Sequence, residues 1–173
     1  MIISVEKIKK MSKFANYDDA ELERKMQAIE QAIRSYTNNN FQDRNKRIEC
    51  ASLNGVLQAT SPYFSVDDTL QISKSNNAGL YVIAEIGDTL KLDKALYDEP
   101  YNLVTKIVYP ADVVEGAIRL LEWNLTQSNK VGVQSESISR HSVTYFNMDG
   151  DNSIMGYPKS LFGFLKPYKC AKF

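Results

Sequence analysis

The sequence predicts an α+β chain: a small helical bundle of three main helices plus a short C-terminal helix, with an inserted antiparallel β unit and an extended C-terminal arm. Three observations predict it. Apolar residues recur at helical spacing from Leu22 to Tyr36 and again after Pro110. Between Phe41 and Pro100 the texture changes to β-branched, alternating segments separated by turn residues. After Asn129-Lys130, the Ser- and Thr-rich stretch Val131–Phe146 follows a helix without continuing its period. On this reading residues 1–40 and 101–173 form a helical body with its arm, and residues 41–100 form an inserted β-rich subdomain.

The first element is a short helix from Ser4 to about Phe14, with Ser4 as cap, Glu6 in its positive first turn, and Val5, Ile8 and Met11 near one face. The second is marked by Asp18 and Glu21 at capping-box spacing. Leu22, Met26, Ile29, Ile33 and Tyr36 then form one apolar stripe, with Glu23, Arg24, Lys25, Glu30 and Arg34 largely off it. Thr37-Asn38-Asn39-Asn40 ends this helix, because Asn tolerates the left-handed conformation.

Strand patterns cover Arg47–Ala59, Asp68–Ser73, Gly79–Ile86 and Thr89–Leu92. Strands this short need one another or a helix, so they read as a unit of four or five paired strands. Asn102–Tyr109 reads as the strand that brings the chain back. Pro110 or Asp112 opens the third helix, with Asp112 and Glu115 again at capping-box spacing. Its buried face is Val114, Ala117, Ile118, Leu121 and Leu125, widened by Leu120 and Trp123, and Gly116 permits a close contact. Asp149-Gly-Asp-Asn reads as a turn. Leu161, Phe162, Phe164 and Leu165 read as a short apolar helical turn stopped before Pro167.

Composition narrows the function. With 43% hydrophobic and 24% charged residues, the 173-residue chain has the makeup of an ordinary folded domain with enough length for a core. Twenty-one basic and 21 acidic residues cancel, so no global field draws it onto nucleic acid or an anionic membrane. Charge is uneven locally. From Ile154 onward there are Lys159, Lys166, Lys169 and Lys172 and no acid, whereas Glu85–Glu122 leans acidic. Cys50 and Cys170 are too few and too far apart for a disulfide framework, and two thiols suit a cytosolic protein. No apolar run reaches the length of a membrane span, and no signal peptide opens the sequence.

Chemistry is sparsely signalled. The single histidine, His141, stands between serines in Ser139-Arg-His-Ser142, without a nucleophile elbow or orienting acid. One His and two distant Cys do not make a zinc site. Asn147–Ser153 offers alternate oxygen ligands but lacks the glycine placement and the distal Glu of a calcium loop. No phosphate-binding glycine motif occurs. The expectation is therefore no enzyme, no catalytic residue, no metal and no cofactor. The arm Val131–Phe146 either edges a sheet or runs along a surface, its own or a neighbour's.

Several motifs taken together resemble a family. They are A-I-R-S-Y-T-N-N-N-F after two helices, D-T-L-Q-I and N-N-A-G-L-Y-V-I in the β insertion, V-T-K-I-V-Y-P-A-D-V before the third helix, and G-V-Q-S-E-S-I-S-R-H-S-V-T-Y in the arm. Their order resembles the head–tail connector proteins (adaptor, or head-completion proteins) of long-tailed bacteriophages and prophages. The resemblance implies a structural virion protein at the neck. It forms a ring, typically of twelve copies, beneath the portal protein, and offers its lower surface to a stopper or tail-completion protein. DNA passes through the ring without specific binding. The implied assembly contacts fall in two segments: Val133, Ser135, Ser137, Ile138, Arg140, His141, Val143, Tyr145 and Phe146 in the arm, and Leu161, Phe162, Phe164, Lys166 and Tyr168 near the C-terminus. Another ring-forming neck component, such as a tail terminator, and a small non-catalytic binding module are the alternatives.

Overall fold

The computed structural model describes residues 1–127, 135–138, 141–144 and 152–171. The chain divides into two compact units. One comprises Met1–Asn39 with Pro110–Phe173, and the other is Asn40–Tyr109.

The second unit corrects the expected architecture. It is not a small β insertion in a helical bundle but a closed, six-stranded antiparallel barrel. Its strands are β1 (Gln42–Leu53), β2 (Val56–Leu57), β3 (Thr69–Ser73), β4 (Gly79–Ile86), β5 (Leu90–Leu92) and β6 (Glu99–Ile107). They run in the order β1-β2-β5-β4-β3-β6, and β6 closes the circle by pairing with both β1 and β3. The segment expected to lead back to the body is thus the closing strand. Flanked on both sides, it buries four consecutive residues, Asn102–Thr105. Closure depends on pairing residues about 60 positions apart, such as Arg47 with Thr105, which no local pattern encodes.

The barrel interior is filled. Leu57, Phe64, Leu70, Ile72, Ile83, Leu90, Leu92, Leu96 and Val104 form one buried cluster, with Ile48, Cys50 and Tyr81 packed on it. A row of inward side chains from every strand is how a small barrel makes its core. β1 bends sharply at its start. It runs from Gln42 to Arg47 while β6 runs only from Ile107 to Thr105, so three extra residues bulge from β1. Asp43 shapes the bulge by accepting the Asn45 N–H at 3.1 Å and lying 3.0 Å from the Lys46 amine. That Lys46 contact holds its carboxyl below the usual value.

Arg47–Ala59 does not form one strand. Asn54-Gly55 turns it back on itself, with Leu53 opposite Val56. Both turn residues have positive φ, 53° and 84°, as a two-residue hairpin requires.

The first unit holds the helices. The expected first helix is split into α1 (Val5–Lys9) and a 3-10 turn, Ser12–Phe14, and Ser4 makes no side-chain cap. α2 (Asp19–Thr37) begins as its spacing predicts, with Asp18 accepting the Glu21 N–H at 3.0 Å, and ends at Asn38 in the left-handed region. Leu22, Met26, Ile29 and Ile33 are fully buried, and so is most of Glu30, whose carboxylate lies 3.4 Å from the Met1 amine. α3 (Ala111–Gln127) opens after Pro110, one residue before Asp112. The arm contains β7 (Ser135–Ile138) and β8 (His141–Thr144), and β9 (Ser153–Ile154) pairs with β10 (Tyr157–Pro158). The last element is a ten-residue 3-10 helix, Lys159–Tyr168, that carries Pro167 inside it and does not stop before it. α2 packs against α3 and against this 3-10 helix.

Candidate assembly surfaces

The C-terminal residues expected at contacts divide between core and surface. Phe162 is 1% exposed, its ring edge-on to Tyr36 with centroids 5.0 Å apart. Tyr157 stands 5.9 Å from it and 5.2 Å from Trp123, which makes an aromatic cluster across the unit. Leu165, next to the expected set, is fully buried. Phe164 is half-buried with its ring directly over Gly116, where an added Cβ would lie 2.1 Å from a ring carbon. Leu161 and Tyr168 are half-buried, and Lys166 is exposed. Of that group, Lys166 is the side chain most open to a partner.

From the last residue of the 3-10 helix onward, residues 168–171 are fastened over the end of α2. The Cys170 N–H donates to the Thr37 carbonyl at 2.8 Å. Asn38 and Asn39 side-chain amides donate to the Ala171 and Tyr168 carbonyls at 2.8 and 3.1 Å. The Lys169 amine lies 3.9 Å from the Tyr36 ring centroid, a cation–π contact. The Tyr168 hydroxyl donates to the Asp112 carboxylate at 2.7 Å, which pushes the phenol above its ordinary value. So Asp112 serves the C-terminal segment, and the Asn run is both a helix stop and a set of side-chain donors.

In the arm, the backbone of Ser135–Ile138 pairs antiparallel with His141–Thr144. Ser135 stands opposite Thr144, Glu136 opposite Val143, Ser137 opposite Ser142 and Ile138 opposite His141. Ser135, Ser137, Ile138, His141 and Val143 therefore belong to one two-stranded sheet. Val133, Arg140, Tyr145 and Phe146 lie outside the described residues.

At the barrel end opposite the one where Gln42 and Ile107 pair, a buried polar cluster replaces the apolar core. Asn77 donates to Ser52 Oγ at 3.0 Å, Asn102 Oδ1 at 3.1 Å and the Tyr97 carbonyl at 2.9 Å, and its own Oδ1 accepts the Tyr97 N–H at 2.8 Å. Asn102 in turn donates to the Cys50 carbonyl and to Ser52 Oγ, and Ser52 Oγ donates to the Tyr97 carbonyl. Every polar group in such a cluster needs its partner, since an unpaired one would cost about 1–3 kcal/mol. The result fixes the Tyr97 backbone through both its N–H and its carbonyl, while the residue as a whole is 74% exposed. Sequence reading did not single out Tyr97, because nothing local distinguishes it from any loop tyrosine.

No protein-family model and no curated protein matches the chain. The chemistry must be read from the residues. Among the described residues no three His, Cys, Asp or Glu side chains gather as a metal site. Burial pushes the half-buried Cys50 thiol above its usual value, away from the reactive thiolate. No described helix is long and apolar enough to cross a membrane.

Proposed function

We propose that this chain is a structural connector of a tailed-phage neck: a ring-forming protein that joins the portal of a DNA-filled head to a stopper or tail component. Twelve copies, a virion location and passage of DNA without specific contacts follow from the resemblance in its motifs and belong to the same proposal. The observation that carries the reading is the β7–β8 pairing within the motif-bearing arm. The pair forms a two-stranded sheet, which is marginal by itself in water and can be extended by a strand of another chain. The barrel supports a mechanical role, because its interior is filled by side chains and its closed sheet leaves no edge to add to.

The test is assembly. Mixed with its portal, the protein is expected to form rings docked on one face of the portal, read by negative-stain imaging or native mass spectrometry. A chain that neither assembles nor binds portal overturns the proposal.

A further inference from the structure

We propose that the Met155-Gly156 turn is a contact point between copies of this chain, seated on the Tyr97 end of a neighbouring copy's barrel. The inference rests on the ring reading for its biological setting but draws on separate observations.

Two turns of the chain share one geometry. Asn54-Gly55 joins β1 to β2 with φ of 53° and 84°, and Met155-Gly156 joins β9 to β10 with φ of 51° and 81°. The first has the residue pair that suits this left-handed backbone. The second puts methionine where asparagine would sit with less strain. Met155 is 53% exposed, so burial within its own chain does not offset that strain. A strained residue that displays an apolar side chain points to a contact outside the molecule.

The seat follows from the remaining surface. Among the described residues, the other exposed large apolar side chains are Leu53, Tyr63, Val66, Ile86, Tyr97 and Val108, all in the barrel unit, residues 40–109. Tyr97 is the most exposed, and the Asn77 cluster pre-sets its backbone, so little order is lost on binding. Aromatic anchors of this kind dominate interfaces, and a thioether packs well on a ring edge. Charge is complementary. Lys159 closes the Met155 hairpin through its N–H to the Asn152 carbonyl, and residues 152–171 hold Lys159, Lys166 and Lys169 with no carboxylate side chain. Asp149 and Asp151 precede that hairpin in sequence and lie outside the described residues. In sequence, Tyr97 is flanked by Asp93, Asp98 and Glu99, and Lys94 is the one cation of residues 93–99. A tip meeting a different surface is a heterologous contact, which closes into a ring or grows as a filament.

The experiment uses the full chain with Cys50 and Cys170 changed to serine. With M155C and Y97C in one chain, mild oxidation is expected to give a ladder of dimer, trimer and higher species. Two singly substituted chains, mixed, are expected to give the mixed dimer and nothing larger. Absence of the mixed cross-link, or cross-links only between like positions, overturns the proposal. In the otherwise native chain, M155N is expected to leave thermal stability unchanged or raised while weakening self-association, measured by sedimentation, by at least about tenfold. Unchanged association overturns the proposal. If M155N rings still dock on the portal at native strength, this inference fails while the connector reading stands. A cross-linked ladder from a chain that ignores the portal gives the opposite result.

Discussion

Gly116 shows how a single residue ties α3 to the C-terminus. In an exposed helix interior, replacing glycine with alanine stabilises by about 1 kcal/mol. Here the added methyl would stand 2.1 Å from the Phe164 ring, so the ring must leave its place. G116A is therefore expected to destabilise by about 1–3 kcal/mol in chemical denaturation. F164A in the same chain should recover part of that loss, and a stabilised G116A would show that the ring moves freely. Two phenols make a second prediction. Burial raises the Tyr157 value, and the bond to Asp112 raises that of Tyr168. Above pH about 10 the unfolded phenols ionise first, so the folded chain holds more protons and stability falls as pH rises. Below that pH their contribution is fully present. Denaturation midpoints should be flat near neutrality and drop in the alkaline limb, with a shallower drop in Y157F. Residues of this kind were only half legible. A glycine inside the third helix points to a close contact, but Phe164 as its partner is nearly 50 positions away.

At the scale of elements, local patterns carried most of α2 and failed at joints. Its stripe and its Asp18 cap are set by neighbours three and four residues apart, which a sequence displays directly. Glu30 lies four residues after Met26 and three before Ile33, so it is buried beside the stripe, and its ion pair with the distant Met1 amine is what the helical pattern does not display. Asn54-Gly55 is among the strongest short hairpin signals, yet the strand-like pattern on both sides of it makes Arg47–Ala59 read as one segment. Met155-Gly156 offered a weaker signal, a glycine second in a two-residue gap between Ile154 and Tyr157. The polar end of the barrel gives the prediction that belongs here. N77A removes the shared partner of Ser52, Asn102 and Tyr97 and leaves the Tyr97 N–H without its acceptor. It is expected to cost about 2–3 kcal/mol. The amides of residues 95–99 should lose hydrogen-exchange protection while those of α2 keep theirs. An unchanged exchange pattern would mean that the cluster does not hold Tyr97.

For the whole molecule, the consequential feature is that the barrel begins and ends side by side. Gln42 pairs with Ile107, the Val108 N–H donates to the Phe41 carbonyl at 2.9 Å, and the Phe41 and Tyr109 rings meet at 4.9 Å. With its own filled core, the unit has what independent folding requires. Residues 40–109 expressed alone are expected to give a cooperative unfolding transition and a dispersed amide spectrum. A chain without fixed tertiary structure would show that the barrel depends on the rest. The C-terminal segment carries the contrary lesson. Phe162, expected at a contact between molecules, is spent in the core with Tyr36 and Tyr157, and residues 168–171 bind the end of α2.

The sequence by itself determined the helices α2 and α3, the alternation of strand and turn between them, and the near absence of catalytic or metal-binding signals. Each of these depends on neighbours within a few positions. Only the tertiary structure decided that six strands close into a barrel, that Phe162 is core, and that Tyr97 and Met155 are displayed. Those outcomes depend on pairs far apart in the chain. The same apolar residue is core or contact according to what the fold brings against it, and periodicity records the face of an element but not its partner.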